Sequence, residues 1–250
     1  MMSDSNPGLI SLCTTCKGRA HHLKETLPLN MRDNGDDPAV EFLILDYDSP
    51  DDLQAWVHRE LKSQIEAGIV TYLRLEGYPA FSMPHSRNVA FRAARGEILC
   101  NVDADNFMGP GFVSFLRRFF AQHPEGFLRP HGPPGTNGRI ACRRNQFMEI
   151  GGYDEKMGDG WGYEDVDFAA RLSAAGFKGK PMPGRYLSAI PHSDSMRLEF
   201  QTVKMKEGCN REHRRLSKKN IETGLWKANA GSGFGVAQAL KNFIHPIEFT

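Results

Sequence analysis

Residues 97–106 read EILCNVDADN. An apolar run ends abruptly on two carboxylates one residue apart, Asp103 and Asp105. The run has the character of a strand buried on both faces. At its end both carboxylates can turn towards one bound cation. Hard oxygen ligands suit magnesium or manganese, ions that bridge substrate phosphates. Asp-x-Asp alone is also an ordinary polar turn, so its weight depends on what surrounds it.

Three more apolar runs precede it, at 9–14 (LISLCT), 40–45 (VEFLIL) and 69–75 (IVTYLRL). Between them lie segments of helical period. KGRAHHLKETLPL puts apolar residues 20, 23 and 27 on one face. The segment from Asp48 to Gly68 opens with Ser49 as an expected cap and Pro50 in the first turn. SMPHSRNVAFRAARG is expected to close at Gly96. Strands alternating with helices predict an α/β fold, a mostly parallel sheet flanked by helices. Such sheets bind ligands beyond the carboxyl ends of their strands. Lys17, Arg19, Asp46, Asp48, Asp103 and Asp105 should therefore share one rim.

The second half is less regular. GPGFVSFLRRFFAQHPEG and NQFMEIGG read as helices, RIACRR as a short strand and HGPPGTNGR as a loop. A basic helix is expected over about 197–222. The absence of repeats and linkers favours one domain over 1–250 with two halves, about 8–108 and 109–250.

Composition excludes several classes. The chain has 250 residues, enough for a sizeable core, and a formal net charge of +1. That balance gives no global attraction to nucleic acid or anionic membranes. MMSDSNPG lacks the regions of a signal peptide, and no apolar run is long enough to span a membrane, so a cytoplasmic location or a peripheral one at a membrane is expected. Cys13 and Cys16 form C-x-x-C, but no second pair completes a zinc site, and reduced, buried thiols are expected.

The other stretch with chemical content is WGYEDVDFAARL, 161–172. Asp165 shares a helical face with Phe168, Ala169 and Leu172, so it should face the interior or a cleft at the helix's first turn. Asp167 is expected to pair with Arg171 on the surface. Glu164 and Asp165 also favour the helix dipole, a contribution of only about 0.3–1 kcal/mol. A carboxylate behind a Gly-Trp-Gly loop suits a general base beneath an acceptor-binding lid. His192 becomes a metal-ligand candidate if the fold brings it near Asp105.

Together these stretches resemble the GT-A fold glycosyltransferases, in particular the β-1,4-galactosyltransferase-like group and bacterial family 2. SLCTTCKGRAHHLKETLP is similar to their first strand and nucleotide loop. LDYDSPDD, HSRNVAFRAARGEIL, VDADN, the GWGYEDVDFAARL stretch and HSDS follow in the family's order, and NREHRRL and TGLW resemble its C-terminal region. The resemblance covers about 8–230. It implies a UDP-sugar donor, a manganese or magnesium ion, and inverting transfer to the hydroxyl of a glycan, lipid-linked or small-molecule acceptor, with no nucleic-acid partner.

By matched position, Thr15, Lys17 and Arg19 would lie at the nucleotide and Asp46 at the uracil. Arg87 would support the diphosphate, Asp103 the donor sugar or ribose, and Trp161 the sugars. Asp105 and His192 would hold the metal, Glu164 would bind hydroxyls, and Asp165 would be the base. Cations of the basic tail (Lys204, Lys206, Arg211, Arg214, Arg215) would add to charge neutralisation at the diphosphate. The chain departs from the family at Thr15 and Cys16, where Pro and an aromatic are common, and in the single Trp of D-G-W-G-Y. A retaining glycosyltransferase, a nucleotidyltransferase and a non-catalytic sugar-nucleotide or glycan-binding protein are the alternatives. The E-D pair argues against the first, the single Gly of TTCKGR against the second, and the intact carboxylates against the third.

Overall fold

The computed structural model describes residues 8–133, 135–231 and 233–250. Most of the MMSDSNPG stretch therefore lies outside the described residues.

The first half alternates as expected: β1 (Ile10–Cys16), α1 (Ala20–Asn34), β2 (Val40–Tyr47), α2 (Leu53–Glu60), α3 (Lys62–Glu66), β3 (Val70–Leu75), α4 (Met83–Ala93) and β4 (Ile98–Asn101). There follow β5 (Asn106–Phe107), α5 (Phe112–Gln122), β6 (Gly126–Arg129), β7 (Ala141–Arg143), α6 (Arg144–Glu149), α7 (Glu164–Ala174), β8 (Lys178–Pro181) and β9 (Ser188–Ala189). The chain closes with α8 (Asp194–Leu198), α9 (Lys206–Glu222), β10 (Ala237–Lys241) and β11 (His245–Phe249).

Nine strands form one sheet in the order β11-β10-β3-β2-β1-β4-β7-β6-β8. β3, β2, β1 and β4 are parallel neighbours, while β7 joins β4 antiparallel and β10 joins β3 antiparallel. Every residue of β2 is buried, because helices cover both faces of the sheet. Alternation assigns its side chains: Phe42 and Ile44 enter the core that includes α1, α2 and α5, and Leu43 and Leu45 enter the one that includes α4, α6 and α7.

Three local expectations are corrected. Helix α2 begins at Leu53, not at Ser49, because Ser49 Oγ accepts from Gly18 N (2.6 Å) and donates to Asp51 (2.9 Å). Asp51 in turn accepts from Ala20 N at 2.8 Å, so this segment caps α1 instead. Helix α4 ends before Gly96, whose N–H donates to Ser11 Oγ and whose Cα lies too close to the Leu9 carbonyl for a side chain. The basic helix is interrupted between Leu198 and Lys206. There the Phe200 carbonyl accepts from Phe81 N (2.7 Å), and Val203 N donates to Asp159 O (3.0 Å).

Order along the sheet fixes where a ligand goes. From β1 the chain steps outward to β2 and β3, then returns to the other side of β1 as β4. The loops after β1 and β4 therefore diverge and leave a crevice, the switch point of an open parallel sheet.

Candidate active site

A cleft of about 410 Å3 occupies that crevice. It collects every expected site residue except Asp46. Thr15, Lys17 and Arg19 come from the end of β1 and its loop, and Asp103 and Asp105 follow β4. Trp161, Glu164 and Asp165 enter from the start of α7, and His192 from the segment before α8.

Asp105 and His192 meet directly, with His192 Nε2 2.7 Å from Asp105 Oδ2. The pairing follows from β5 and β9, where Asn106 pairs with Ala189 and Ile190 N donates to the Asp105 carbonyl. Burial pushes the Asp105 carboxyl up, the Asp103 charge adds to this, and His192 opposes it. Among the described residues no cluster of three or more His, Cys, Asp or Glu forms a metal cage. A carboxylate and an imidazole in contact at a cleft wall nevertheless fit a divalent ion that completes its shell with phosphates and water.

Arg87, at the middle of α4, ties the two acidic motifs together. Its Nη1 donates to Glu164 Oε1 at 2.7 Å and its Nη2 to Asp103 Oδ1 at 3.2 Å. Arg87 and Glu164 are both buried, and Glu164 Oε2 is buried without a partner. An unpartnered buried carboxylate oxygen beside a cleft is a vacant acceptor for a ligand hydroxyl.

Asp165 stands apart from this network. It is half-buried in the cleft wall, and Oδ1 accepts the Val166 N–H at 2.7 Å. Burial and the Glu164 carboxylate push its carboxyl up to about 7, against the lowering influence of Arg87. Its partner in sequence, Asp167, pairs with Arg171 at 2.6 Å, but both side chains are fully buried. The expectation of a surface pair is therefore corrected. Arg171 also donates to the Ile150 and Gly152 carbonyls, which brings the pair inside and fixes α7 against the preceding loop.

At the nucleotide end, Lys17 donates to the Tyr47, Asp48 and Tyr78 carbonyls at 3.1, 2.6 and 2.8 Å. An ammonium has three N–H groups, so all are engaged in holding strand ends together. Asp46 is fully buried and accepts from Tyr72, Arg74 and Ser49 N, below the cleft floor. Arg19 reaches across to the Met196 carbonyl and to Glu199 (3.3 Å).

The sequence reading missed His22 and Arg197 among the lining residues and placed Lys206 only in the basic tail. His22 lies in the first turn of α1, with its ring 5.5 Å from that of His192, and burial lowers its imidazole to about 4, so it is neutral at pH 7. Arg197 and Lys206 both stand over the Trp161 ring, at 5.7 and 4.7 Å, and Asp194 bridges them at 2.7 Å each. Of the five basic-tail cations, only Lys206 lines this cleft. Lys204 spends its ammonium on the Leu198 and Glu199 carbonyls. The Gly158–Gly162 loop is glycine-rich for close packing: a Cβ on Gly160 would fall 2.3 Å from Cys209 Sγ on α9.

Residues 10–118 match the family described as glycosyltransferase like family 2, and residues 130–194 match the N-terminal domain of galactosyltransferase. A search of curated proteins finds no match. Among solved structures, S. aureus TarS with UDP-GlcNAc is similar at 14% identity and a TM-score of 0.66, over 90% of this chain and 68% of that one. The mannosyltransferase PcManGT from Pyrobaculum calidifontis, solved with GDP-Man and Mn2+, is similar at 15% identity and a TM-score of 0.63, over 90% and 74%. GalNAc-T7, solved with UDP, GalNAc and Mn2+, is similar at 16% identity and 0.59, over 72% of this chain and 42% of that one. The likeness to these structures is one of fold, the GT-A fold, and both matched families are glycosyltransferases. The chain is a glycosyltransferase built on that fold.

Proposed function

We propose that the protein is a metal-dependent, inverting glycosyltransferase that moves a sugar from a UDP-sugar to an acceptor hydroxyl, with Asp165 as general base. The observation that carries this reading is the contrast between two adjacent carboxylates. Glu164 is paired with Arg87, whereas Asp165 has no ion-pair partner among the described residues and titrates at about 7. A base in the same cleft as the donor site, poised near working pH, is what direct displacement requires.

In the reaction the acceptor oxygen attacks the anomeric carbon from the face opposite the diphosphate. Its proton passes to Asp165, the bond from the anomeric carbon to the diphosphate oxygen breaks, and UDP leaves with both electrons of that bond. Inversion follows from attack on the far side. Asp105 and His192 would hold a manganese or magnesium ion, which supplies positive charge against the departing diphosphate. Glu164 Oε2, vacant and buried, would accept a sugar hydroxyl. Trp161 offers an apolar ring face for a sugar, and the loop around it excludes water that would hydrolyse the donor.

The donors in the related structures (UDP-GlcNAc, GDP-Man and UDP with GalNAc) support a nucleotide-sugar here, and the Mn2+ in two of them supports a metal. One continuous nine-stranded sheet supports treating 1–250 as a single domain with nucleotide and acceptor halves. No helix among the described residues is long and apolar enough to cross a membrane. A cytoplasmic or membrane-peripheral location accords with this and belongs to the proposal.

The test is UDP release from UDP-Gal, UDP-Glc, UDP-GalNAc and UDP-GlcNAc with and without manganese, followed by determination of the product anomer. Manganese-dependent release with an inverted product supports the reading. A retained anomer would remove Asp165 from the role of base for direct attack.

A further inference from the structure

Behind Tyr163 lies a second cavity, about 390 Å3, between α7 and α9. Tyr163 lines this groove and the catalytic cleft alike, so the two share a wall. The rest of the groove includes Ala170, Arg214, Ser217, Lys218 and Ile221. Tyr163 sits at φ 76°, a left-handed conformation that a bulky residue adopts only when its surroundings impose it. They do so here: His213 Nδ1 donates to the Gly162 carbonyl at 2.8 Å, and Gly162 packs against Asn210, both from α9. The same helix thus fixes the wall of the cleft and forms the far side of the groove.

Charge gives the groove its chemistry. Helix α9 carries six Lys and Arg against three Glu, in a chain whose net charge is only +1. Arg214 has no ion pair among the described residues and is exposed. Lys218 lies 3.6 Å from Glu222, the groove's remaining lining residue, with both side chains largely in solvent, so that pair is weak. Two available cations, a buried serine and an aromatic wall make a concave site for an anion carried on a sugar framework.

We propose that this groove binds the anionic part of the acceptor, an oligosaccharide bearing carboxylate or phosphate groups, whose hydroxyl end reaches past Tyr163 to Asp165. The assignment rests on the glycosyl-transfer reading and names the acceptor class for it. A neutral glycan would gain nothing from Arg214 and Lys218.

The test uses the intact protein and fluorescein-labelled tetragalacturonate, with its fully methyl-esterified neutral form as the matched control. Fluorescence anisotropy at low ionic strength should show the acid form binding at least about tenfold tighter than the ester. That contrast should collapse in Arg214→Gln/Lys218→Gln and persist in Arg214→Lys/Lys218→Arg, which keeps the charge at both positions. Equal binding of acid and ester, or a contrast that survives the neutral double variant, would overturn the proposal. So would loss of binding to phosphatidylglycerol vesicles in that variant with the contrast intact, which would assign the cations to a membrane surface. If the contrast holds but wild type releases no UDP from any donor, the groove stands as an anion site and the transfer reading alone fails.

Discussion

Arg87 Nη1 lies 2.7 Å from Glu164 Oε1, so the helix before the Asp-x-Asp strand is joined to the helix that bears the proposed base. The same guanidinium reaches Asp103. Arg87→Met would strand two carboxylates, one fully buried, and should cost about 3–5 kcal/mol of stability. Urea unfolding measures this directly, and an unchanged midpoint would show that the bridge does not hold the two halves. Arg87→Lys should recover part of the loss, since an ammonium cannot serve both partners with the planar fork of a guanidinium.

The Asp165 carboxyl, at about 7, sets a pH profile. A base must be ionised, so kcat/KM should rise as pH rises through about 7 and level off above it. Asp165→Asn should lower kcat roughly 10²–10⁴-fold while UDP binding persists. Equal loss of both would sink the assignment.

Stability carries the opposite sign at the same residue. The folded-state value lies above the ordinary carboxylate range, so the folded protein holds a proton that the unfolded chain releases. Stability from this group therefore falls as pH rises from the ordinary carboxylate range through about 7, and the cost is complete above that. Asp165→Asn should be more stable than wild type in mildly alkaline buffer and indistinguishable from it below pH 4. Thermal melts across the range decide, and a constant difference would contradict the raised value.

Manganese binding offers a readout independent of turnover. Titration followed by electron paramagnetic resonance, with UDP present, should show weaker binding in His192→Ala. The loss should exceed the roughly 10–100-fold typical when only a ligand's supporting partner is removed. Equal affinity in variant and wild type would remove His192 from the metal site.

Gly160 faces Cys209 so closely that an added methyl would fall 2.3 Å from the sulfur. Gly160→Ala should displace the Trp161 loop from α9 and cost about 1–3 kcal/mol. Cys209→Ala in the same chain should restore part of that, since it removes the sulfur but leaves Cβ 2.9 Å away, a coupling that a double-mutant cycle reads out. Additive losses would show that the loop does not depend on this contact.

The parallel half of the fold was legible because β1 to β4 are buried on both faces and read as unbroken apolar runs. The strands at the sheet's margins were not. β8 is Lys-Gly-Lys-Pro and fully exposed, so it carries no apolar signal and exists only through pairing with β6. The hairpin of β10 and β11 is half-exposed and similarly silent. In the site, Asp105, His192 and Asp165 could be named because their spacing follows a strand end or a helix face. Lys17 could be placed on the rim, but not its partners, which are backbone carbonyls, and Asp46, read as a rim residue, is instead buried against Tyr72 and Arg74, side chains distant in sequence. The Asp167–Arg171 spacing is the same for a surface pair as for a buried one. Only the Ile150 and Gly152 carbonyls, from another segment, show which it is.

The hairpin of β10 and β11 also bears on how the protein is made. β10 pairs with β3 through Leu240 opposite Arg74, so strands synthesised well after β3 complete an edge laid down early. Until they arrive, the Val-Thr-Tyr-Leu-Arg-Leu strand presents open backbone groups to any other extended chain. Closure across so long a stretch of sequence is slow compared with local pairing. During synthesis β3 is thus an open edge, and a ribosome pause before residue 237 would prolong its exposure to aggregation.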